Sequence, residues 1–309
     1  MSAAGVTITG ATGLIGPPLV RALRERGSAV TVLSRNPEHA VRQLGDVEAL
    51  RWDLMSEPAP QQALAGRDAV VHLAGEPVAQ RWSASAKRAI RESRVLGTRN
   101  LLTGLGAIEG SRGARPGILV SSSAIGYYGA RGEEPLDEDA PPGDDFLAQI
   151  CVEWESEAAA VSELDMRAVQ VRTGIVLDAA GGALAKMLTP FRLGVGGPVA
   201  GGRQFMSWIH TEDVVGMMLA AIDDERWSGP VNATAPAPVS NRDFSRVLGK
   251  VLHRPALAPI PAIALRARYG EMAEIVTSGA RVVPAKALVL GYEFRHPKLE
   301  PALRSALAD

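Results

Sequence analysis

The first half of the chain alternates short apolar runs with longer amphipathic segments. Short apolar runs bounded by polar residues are typical of buried strands, and apolar positions three or four residues apart are typical of helices. The apolar runs predict strands over residues 5–9, 29–33, 69–73, 117–121 and 168–172. The amphipathic segments predict helices over residues 14–26, 83–105 and 146–162. Strands that alternate with helices predict an α/β fold, a doubly wound parallel sheet with helices on both faces.

The pattern changes after Gly174. The stretch 194–202 is crowded with glycine, which predicts an exposed, mobile loop near an active site. A strand followed by a helix is predicted over 208–222, with Thr211 as the cap of that helix. A last strand is predicted over 231–233.

The remainder of the chain is punctuated by proline and mostly helical. A length of 309 residues fits one large α/β domain with a smaller appendage. We therefore predict one domain over residues 1–235, in which residues 174–205 contribute to the substrate side. A small, mostly helical C-terminal substrate lobe is predicted over residues 236–309, and it is not expected to be an independent domain.

Composition narrows the classes of function. Hydrophobic residues make up 46% of the chain and charged residues 22%, which is ordinary for a globular protein and too apolar for disorder. The formal net charge of -1 leaves no basic excess for a phosphate backbone, which argues against nucleic-acid binding. No apolar run approaches the roughly 18 residues of a transmembrane helix, so no membrane contact is expected. The single cysteine, Cys151, excludes an intrachain disulfide and predicts a reducing, cytoplasmic location.

A glycine-rich turn lies between the first predicted strand and the first predicted helix. In Gly10-x-x-Gly13-x-x-Gly16, the first glycine permits a sharp turn and the second lets a pyrophosphate approach the backbone. Gly16 lets the helix pack close to the strand, and the helix N-terminus offers N–H groups to phosphate. The sequence therefore predicts a Rossmann-type dinucleotide site, with a glycine turn that binds no ligand as the alternative.

The end of the second strand indicates which dinucleotide is bound. An NAD site usually carries an acid there for the ribose hydroxyls, whereas this chain reads Ser34, Arg35 and Asn36. Arg35 can pair with a 2′-phosphate, which predicts NADP(H) in preference to NAD(H); a solvated surface arginine is the alternative. Asp53 is expected to meet the adenine amino group or to form a turn.

Several motifs resemble those of the extended short-chain dehydrogenase/reductases, a superfamily that includes sugar-nucleotide epimerases and dehydratases. They are TGATGLIG at 9–16, HLAG at 72–75, GTRNLL at 97–102, SSSA at 121–124 and WIHTEDVV at 208–215. A second set resembles one subgroup, the bacterial and organellar "epimerase family" proteins with a short C-terminal domain of unknown function. That set is AIGYYG at 124–129, RTGIVL at 172–177, GALAKM at 182–187, GGP at 196–198, VPAKAL at 283–288 and GYEF at 291–294.

The resemblance implies which residues contact the cofactor. These residues are Gly10, Thr12, Gly13, Leu14, Ile15, Gly16, Ser34, Arg35, Asp53, Leu73, Ala74, Gly75, Arg94 and Ser121. It also implies a small-molecule substrate, with a nucleotide sugar among the candidates. Members of the superfamily often dimerise through a helix such as 82–105, so a homodimer is a further expectation. Packing of the same helix against the sheet is the alternative.

The chain lacks the catalytic pair of the superfamily it resembles. That pair is Tyr-x-x-x-Lys on one helix, where the lysine lowers the pKa of the tyrosine and the phenolate acts as a base. None of the four tyrosines of this sequence is followed by a lysine at that spacing. When Glu155 is aligned with the glutamate that commonly follows the lysine, Cys151 takes the lysine position and Leu147 the tyrosine position.

Two interpretations follow from the missing pair. In the first, the protein is an atypical enzyme in which Ser123, Tyr127, Tyr128 or Cys151 contributes to catalysis. Ser123 matches the superfamily serine and can hydrogen-bond a substrate carbonyl or hydroxyl. In the second, the fold binds NADP(H) without hydride chemistry and serves as a sensor, scaffold or assembly factor. For each candidate side chain, simple packing is the alternative.

The remaining candidates are weighed in the same way. His210 could act as an acid or a base, because histidine titrates near neutral pH. We favour the alternative, in which His210 forms a structural hydrogen bond. The cations Lys186, Arg192 and Arg203 lie where a substrate diphosphate could be held, or they are solvated surface charges. The other histidines show no Cys/His spacing suited to a metal, so no metal site is predicted.

Overall fold

The computed structural model describes residues 4–109 and 114–308. The strands in these residues are β1 (Gly5–Thr9), β2 (Ala29–Ser34), β3 (Glu48–Arg51), β4 (Ala69–His72), β5 (Ile118–Ala124), β6 (Pro135–Leu136), β7 (Arg167–Thr173), β8 (Ile175–Leu177), β9 (Phe205–Met206), β10 (Trp208–His210), β11 (Gly229–Ala233), β12 (Val239–Ser240) and β13 (Arg281–Val282). The helices are α1 (Gly16–Glu25), α2 (Pro37–Leu44), α3 (Ala84–Gly106), α4 (Phe146–Ala159), α5 (Gly182–Arg192), α6 (Thr211–Asp223), α7 (Asn241–Val251), α8 (Ala262–Tyr269), α9 (Ala273–Thr277), α10 (Ala285–Val289) and α11 (Leu299–Ala306).

Seven strands form one sheet in the order β3-β2-β1-β4-β5-β7-β11, and every neighbouring pair is parallel. The chain moves outward from β1 to β2 and β3 and then returns to β4 on the other side of β1. Strand order therefore reverses beside β1, and ligands bind in such folds outside the carboxyl ends of the strands at that point. The predicted Rossmann-type, doubly wound parallel sheet is confirmed.

Helices cover both faces of the sheet, and the helices on each face pack against it to form a separate apolar core. On one face, the buried core includes Leu19 of α1 and Met218 of α6. On the other face, Leu101 of α3, Ala158 of α4 and Trp52 belong to a second core. All five residues of β1 are buried, as expected for a strand covered on both sides.

The C-terminal part of the chain is mostly helical, as predicted, and it does not close a core alone. Phe244 of α7 and Leu303 of α11 share one apolar cluster with Leu188 of α5 and Trp208 of β10. The cluster therefore joins residues on both sides of the predicted division after residue 235, and that division stays a prediction. Of the helices in the described part of the chain, none is long and apolar enough to cross a membrane.

Two expectations for this half of the molecule are corrected by the structure. Within the glycine-rich stretch 194–202, only Val195 and Gly201 are exposed, and Gly196 and Gly197 are buried. Cβ atoms on these two glycines would meet the Phe191 ring and the Ala258 carbonyl oxygen at 2.4 and 2.2 Å, so the glycines permit close packing. Thr211 does not cap α6: its hydroxyl donates to the Leu177 carbonyl, and the cap is His210, whose side chain accepts the Glu212 backbone N–H.

Helix α3 is found where it was predicted, and it packs extensively along α4. Its buried positions include Ile90, Val95, Leu101 and Leu105, which accounts for the apolar stripe by packing within the chain. The homodimer stays a prediction.

Candidate cofactor and active site

The glycine turn between β1 and α1 forms a cradle that side chains would fill. Gly10 has a φ of +69°, and a Cβ there would lie 2.6 Å from the Ala74 backbone nitrogen. A Cβ on Gly16 would lie 2.1 Å from the Ala11 carbonyl oxygen. Gly13 is exposed, and the single neighbour that its Cβ would meet is the Gly10 carbonyl oxygen at 3.3 Å. Gly10 and Gly16 therefore serve packing, whereas Gly13 leaves space for a ligand.

The start of α1 directs unpaired N–H groups at this cradle. No side chain caps the helix, and Pro17 and Pro18 in its first turn carry no N–H. Within residues 4–109 and 114–308, the backbone N–H groups of Leu14, Ile15 and Gly16 have no acceptor. Three adjacent donors at a helix N-terminus fit the phosphates of a dinucleotide.

The loop after β4 closes the cradle from the neighbouring strand. The Ala74 backbone N–H donates to the Thr9 hydroxyl at 3.3 Å, and that hydroxyl lies 2.6 Å from Nδ1 of His72. Burial, reinforced by the charge of Arg94, lowers the pKa of His72 to about 4. The neutral ring can therefore accept a hydrogen bond from the Thr9 hydroxyl at neutral pH. Because the same hydroxyl accepts the Ala74 N–H, the two bonds hold the loop Leu73-Ala74-Gly75 beside the glycine turn.

The predicted adenosine end lies at the carboxyl ends of β2 and β3. Arg35 is exposed, and the described residues offer it no hydrogen bond or ion pair. Ser34 exchanges hydrogen bonds with the backbone of Asn36, which caps α2. One carboxylate oxygen of Asp53 accepts the Met55 N–H at 3.1 Å, so Asp53 forms a turn whether or not it also meets an adenine.

A cavity of about 1170 Å³ opens beside the cradle at the carboxyl end of β5. Ile15 and Leu73 connect it to the cofactor turn, and Ser122 and Ser123 form its sheet side. Helix α4 supplies an apolar wall. Its members are Phe146, Leu147, Ile150, Cys151 and Trp154.

Ser123 is held by a buried charge network. Its hydroxyl donates to a carboxylate oxygen of Glu155 at 2.5 Å. Arg172, which is 2% exposed, donates to both oxygens of the same carboxylate at 2.8 Å. Burial alone would lower the pKa of Arg172, but the bonds and charge of Glu155 outweigh it and hold that pKa above the ordinary value. The Ser123 proton is thus engaged by Glu155, and the Ser123 oxygen, which also contacts the Cys151 thiol, can accept a further hydrogen bond from a ligand.

The two candidate tyrosines do not line the cavity. Tyr128 is fully buried, and its hydroxyl contacts Asn232 at 2.7 Å and the Arg172 guanidinium at 2.9 Å. Burial raises the pKa of Tyr128 to about 12. The Tyr127 ring lies 3.5 Å from the guanidinium carbon of Arg172 and edge-on to Tyr128. Both rings therefore pack against Arg172, and neither tyrosine is among the residues that line the cavity.

The two residues aligned with the missing tyrosine and lysine face the cavity. Leu147 and Cys151 lie on its α4 wall, one turn apart. Burial, with the nearby charge of Glu155, raises the pKa of Cys151 to about 12, so the thiol is protonated at neutral pH. Since the thiolate is the nucleophilic form, Cys151 behaves here as a small buried side chain.

Other candidates lie elsewhere. The cavity lining includes Arg94 but not Ser121, whose hydroxyl donates to the Ser122 carbonyl. The cations Lys186, Arg192 and Arg203 do not line this cavity, nor does the glycine-rich stretch 194–202. The expectation that this stretch borders the active site is therefore not met by the cavity that the described residues form.

The C-terminal lobe, predicted as a substrate lobe, contributes residues to the cavity that sequence reasoning did not identify. Arg266 of α8, Glu271 and Ile275 are among them. Glu271 forms an ion pair with Lys87 of α3, and Lys87 also lies 5.1 Å from the Phe146 ring centroid. The tail motifs indicated that a lobe was present, but no spacing within it showed which face meets the cofactor side.

A group of possible metal ligands occurs at the start of α6. His210, Glu212 and His296 each offer one ligand atom, and these atoms lie within 4.8 Å of one another. However, the two imidazole rings stack with centroids 3.7 Å apart and an interplanar angle of 30°. Ring nitrogens direct their lone pairs within the ring plane, so stacked rings converge poorly on one ion. The structural hydrogen bond expected of His210 is present, and the absence of a metal site stays a prediction.

The sheet order and the glycine turn define a Rossmann-type class of nucleotide-binding protein. The family model described as NAD dependent epimerase/dehydratase family matches residues 6–232, and a domain of unknown function, DUF1731, matches residues 260–306. The chain belongs to the NAD dependent epimerase/dehydratase family. The resemblance inferred from the motifs is confirmed in both parts of the chain.

Individual relatives agree with this assignment. The chain is 38% identical over 302 residues to the chloroplastic epimerase family protein SDR39U1 homolog of Arabidopsis thaliana, covering 98% of this chain and 86% of that protein. The crystal structure of human epimerase family protein SDR39U1 with NADPH matches with a TM-score of 0.88 at 32% identity, covering 99% of both chains. A nucleoside-diphosphate sugar epimerase from Corynebacterium glutamicum matches with a TM-score of 0.78 at 35% identity, covering 99% of this chain and 58% of that one.

Proposed function

We propose that this protein binds NADP(H) and uses it in an epimerase-like or oxidoreductase-like reaction on a small molecule. The observation that carries the proposal is the cradle, where the open side of Gly13 adjoins the unpaired N–H groups of Leu14, Ile15 and Gly16. NADPH in the human relative supports the same cofactor here. Arg35 supports the phosphorylated form over NAD(H), because an unpaired guanidinium suits a 2′-phosphate.

The residues around the cradle fall into two groups, one for each half of the cofactor. Arg35 and Asp53, at the ends of β2 and β3, would hold the adenosine half. The loop Leu73-Ala74-Gly75, beside β5, would border the nicotinamide half, where the cavity begins. When bound, the dinucleotide supplies or accepts a hydride.

Ser123 is the residue that would meet the substrate. Its proton is committed to Glu155, so its oxygen accepts a hydrogen bond more readily than it donates one. A substrate hydroxyl can therefore donate a hydrogen bond to the Ser123 oxygen, which would orient the substrate beside the cofactor. This arrangement supports a hydroxyl-bearing substrate. A nucleotide sugar fits that description, and the name of the Corynebacterium relative supports the same class.

Titration and a substrate screen test this function. Fluorescence titration should show tighter binding of NADPH than of NADH. Nucleotide sugars, aldehydes and quinones are then screened for oxidation of NADPH, and alcohols for reduction of NADP⁺, by absorbance. We expect Ser123→Ala to abolish the turnover that is found, and Ser228→Ala, at an exposed position, to retain it. If the Ser123→Ala variant keeps the turnover of the wild-type protein, Ser123 has no role in the reaction.

A non-catalytic role is the second candidate, and the α4 wall favours it. Leucine at position 147 cannot transfer a proton, and the Cys151 thiol stays protonated at neutral pH. A sensor or assembly factor of this kind would bind NADPH without oxidising it in any arm of the screen. Its Ser123→Ala variant would then bind NADPH as tightly as the wild-type protein.

A further inference from the structure

The cavity beside Ser123 is lined mostly by apolar side chains. The rings of Trp82 and Phe146 belong to this lining and meet edge to face, with centroids 5.1 Å apart. The Trp82 indole N–H donates to the Val78 carbonyl at 3.0 Å, so the ring offers a ligand no hydrogen bond. Ile275 of α9 lines the cavity from the C-terminal lobe and is 41% exposed. An apolar ligand would remove these surfaces from water.

The hydroxyl groups of the lining are mostly engaged by the protein itself. Those that donate to backbone carbonyl oxygens are Thr173, Ser207, Thr277 and Ser278. Ser123 donates to Glu155 and keeps its oxygen as an acceptor. Among the lining residues that the structure describes, Ser122 alone has a hydroxyl proton without an acceptor. A sugar ring carries several hydroxyl groups, and each one that is buried without a partner costs free energy. The lining therefore suits a ligand with one hydroxyl group better than a sugar.

The guanidinium groups of the lining leave little for a diphosphate. Arg131 already donates to backbone carbonyl oxygens, those of Tyr128, Pro141 and Pro142. Arg94 packs against the cofactor loop, since a Cβ on Gly75 would lie 3.3 Å from its guanidinium carbon. Arg266 is exposed and forms no ion pair within the described residues. One exposed arginine thus remains for a substrate anion.

Carboxylates line the same cavity and oppose that arginine. They are Asp144, Asp145, Glu271 and Glu274. In the described part of the chain, Glu271 is the one among them that forms an ion pair, with Lys87. The unpaired carboxylates would repel the charges of a nucleoside diphosphate, whereas an uncharged ligand meets no such repulsion.

We infer that the substrate held in this cavity is a neutral, apolar alcohol and not a nucleotide sugar. The inference rests on the proposed function and narrows its hydroxyl-bearing substrate to this class. The alcohol hydroxyl donates to the Ser123 oxygen, and the carbon skeleton packs against Trp82, Phe146 and Ile275. Because Phe146 belongs to α4 and Ile275 to the C-terminal lobe, the ligand is held between the sheet domain and the lobe.

Calorimetric titration of the protein saturated with NADP⁺ tests the class of substrate. The alcohols titrated are menthol, 2-decanol and 1-(2-naphthyl)ethanol, and the nucleotide sugars are UDP-glucose and UDP-glucuronic acid. We expect at least one alcohol to bind about tenfold more tightly than either nucleotide sugar. Asp144→Asn combined with Glu274→Gln should leave alcohol affinity within about twofold and should strengthen the binding of UDP-glucose, because the repulsion is removed.

Substitutions in the apolar lining locate the site. Ile275→Ser should weaken alcohol binding about five- to tenfold, because it removes an apolar contact. Val78→Ser should have a similar effect, since Val78 also lines the cavity but lies outside the lobe. Ile263→Ser is the matched control, because Ile263 lies in the same lobe, is 78% exposed and is not part of the lining. It should change alcohol affinity by less than about twofold.

Tighter binding of a nucleotide sugar than of every alcohol would overturn the inference. Alcohol binding that neither Ile275→Ser nor Val78→Ser weakens would overturn it as well, since the ligand would then lie outside this cavity. Titration with NADPH alone separates this failure from that of the proposed function. A protein that binds NADPH but none of the alcohols contradicts the inference only, whereas a protein that does not bind NADPH contradicts the proposed function and the inference with it.

Discussion

The hydroxyl of Ser123 donates to Glu155 at 2.5 Å, and this bond sets the direction in which the serine can act. The same carboxylate is held by Arg172, so the acceptor keeps its charge and its place. A serine whose proton is engaged in this way presents lone pairs to the cavity. The superfamily serine is therefore retained in this chain with a defined polarity, although the tyrosine and lysine are absent.

The buried Arg172–Glu155 pair should dominate local stability. Arg172→Met keeps much of the side-chain volume but leaves the Glu155 carboxylate buried without its cation, which should lower the free energy of unfolding by about 3–5 kcal/mol. Arg99→Met is the matched control, because the Arg99–Glu157 pair is exposed and should contribute less than about 1 kcal/mol. Urea denaturation of both variants measures the difference. Similar losses from the two substitutions would contradict a special role for the buried pair.

Gly13 and Gly16 should separate cofactor binding from folding. Gly13→Ala places a methyl group in the open cradle, so we expect the free energy of unfolding to change by less than about 1 kcal/mol. NADPH affinity should fall about a hundredfold, because the methyl group blocks the approach of the phosphates. Gly16→Ala should destabilise the fold by about 1–3 kcal/mol, since its Cβ would clash with the Ala11 carbonyl. Thermal unfolding and fluorescence titration check the pair; tight NADPH binding by Gly13→Ala would exclude this cradle.

Arg35 should select the phosphorylated cofactor. We expect Arg35→Ala to weaken NADPH binding about 10–100-fold and to leave NADH binding nearly unchanged, because NADH carries no 2′-phosphate. Arg42→Ala on the adjacent helix α2 is the control, since its exposed side chain pairs with Glu38. The selectivity ratio from the two titrations is the measured quantity. A ratio unaffected by Arg35→Ala would show that another group reads the phosphate.

His72 should make the protein less stable in acid. Burial lowers the pKa of His72 to about 4, whereas an unfolded histidine titrates near 6.5. Between these values the unfolded chain binds the proton and the folded chain does not. The contribution of His72 is therefore constant above about pH 6.5 and falls by about 1.4 kcal/mol per pH unit towards pH 4. Urea denaturation across this range measures the slope, and His72→Gln should reduce it.

The sheet and the cofactor turn were predictable because their signals are local. The apolar run 5–9 and the glycines that follow it specify a strand, a sharp turn and a helix within a dozen residues. The edge strand β3 was missed because Glu48–Arg51 is short and lacks a buried apolar run. Edge strands need little apolar patterning, and periodicity detects them poorly.

The chemistry of the cavity was less predictable because it depends on contacts between side chains that are far apart in sequence. Alignment placed Ser123 correctly at the carboxyl end of β5, but nothing local indicated that Glu155 would accept its proton. Tyr127 and Tyr128 follow Ser123 closely in sequence, and proximity in sequence suggested a catalytic role. The turn after β5 carries both rings away from the cavity and onto Arg172. Side-chain direction after a strand depends on that turn, which the residue pattern did not specify.

The carboxylate of Glu138 links the sheet to the C-terminal lobe, since it accepts the backbone N–H of Asn232 in β11 at 2.9 Å and that of Lys286 in α10 at 3.1 Å. Together with the shared apolar cluster, this link joins the lobe to the sheet on both sides of residue 235. The loss of this one carboxylate would leave two backbone N–H groups without their acceptor at the same time, one at an edge strand of the sheet and one in the lobe.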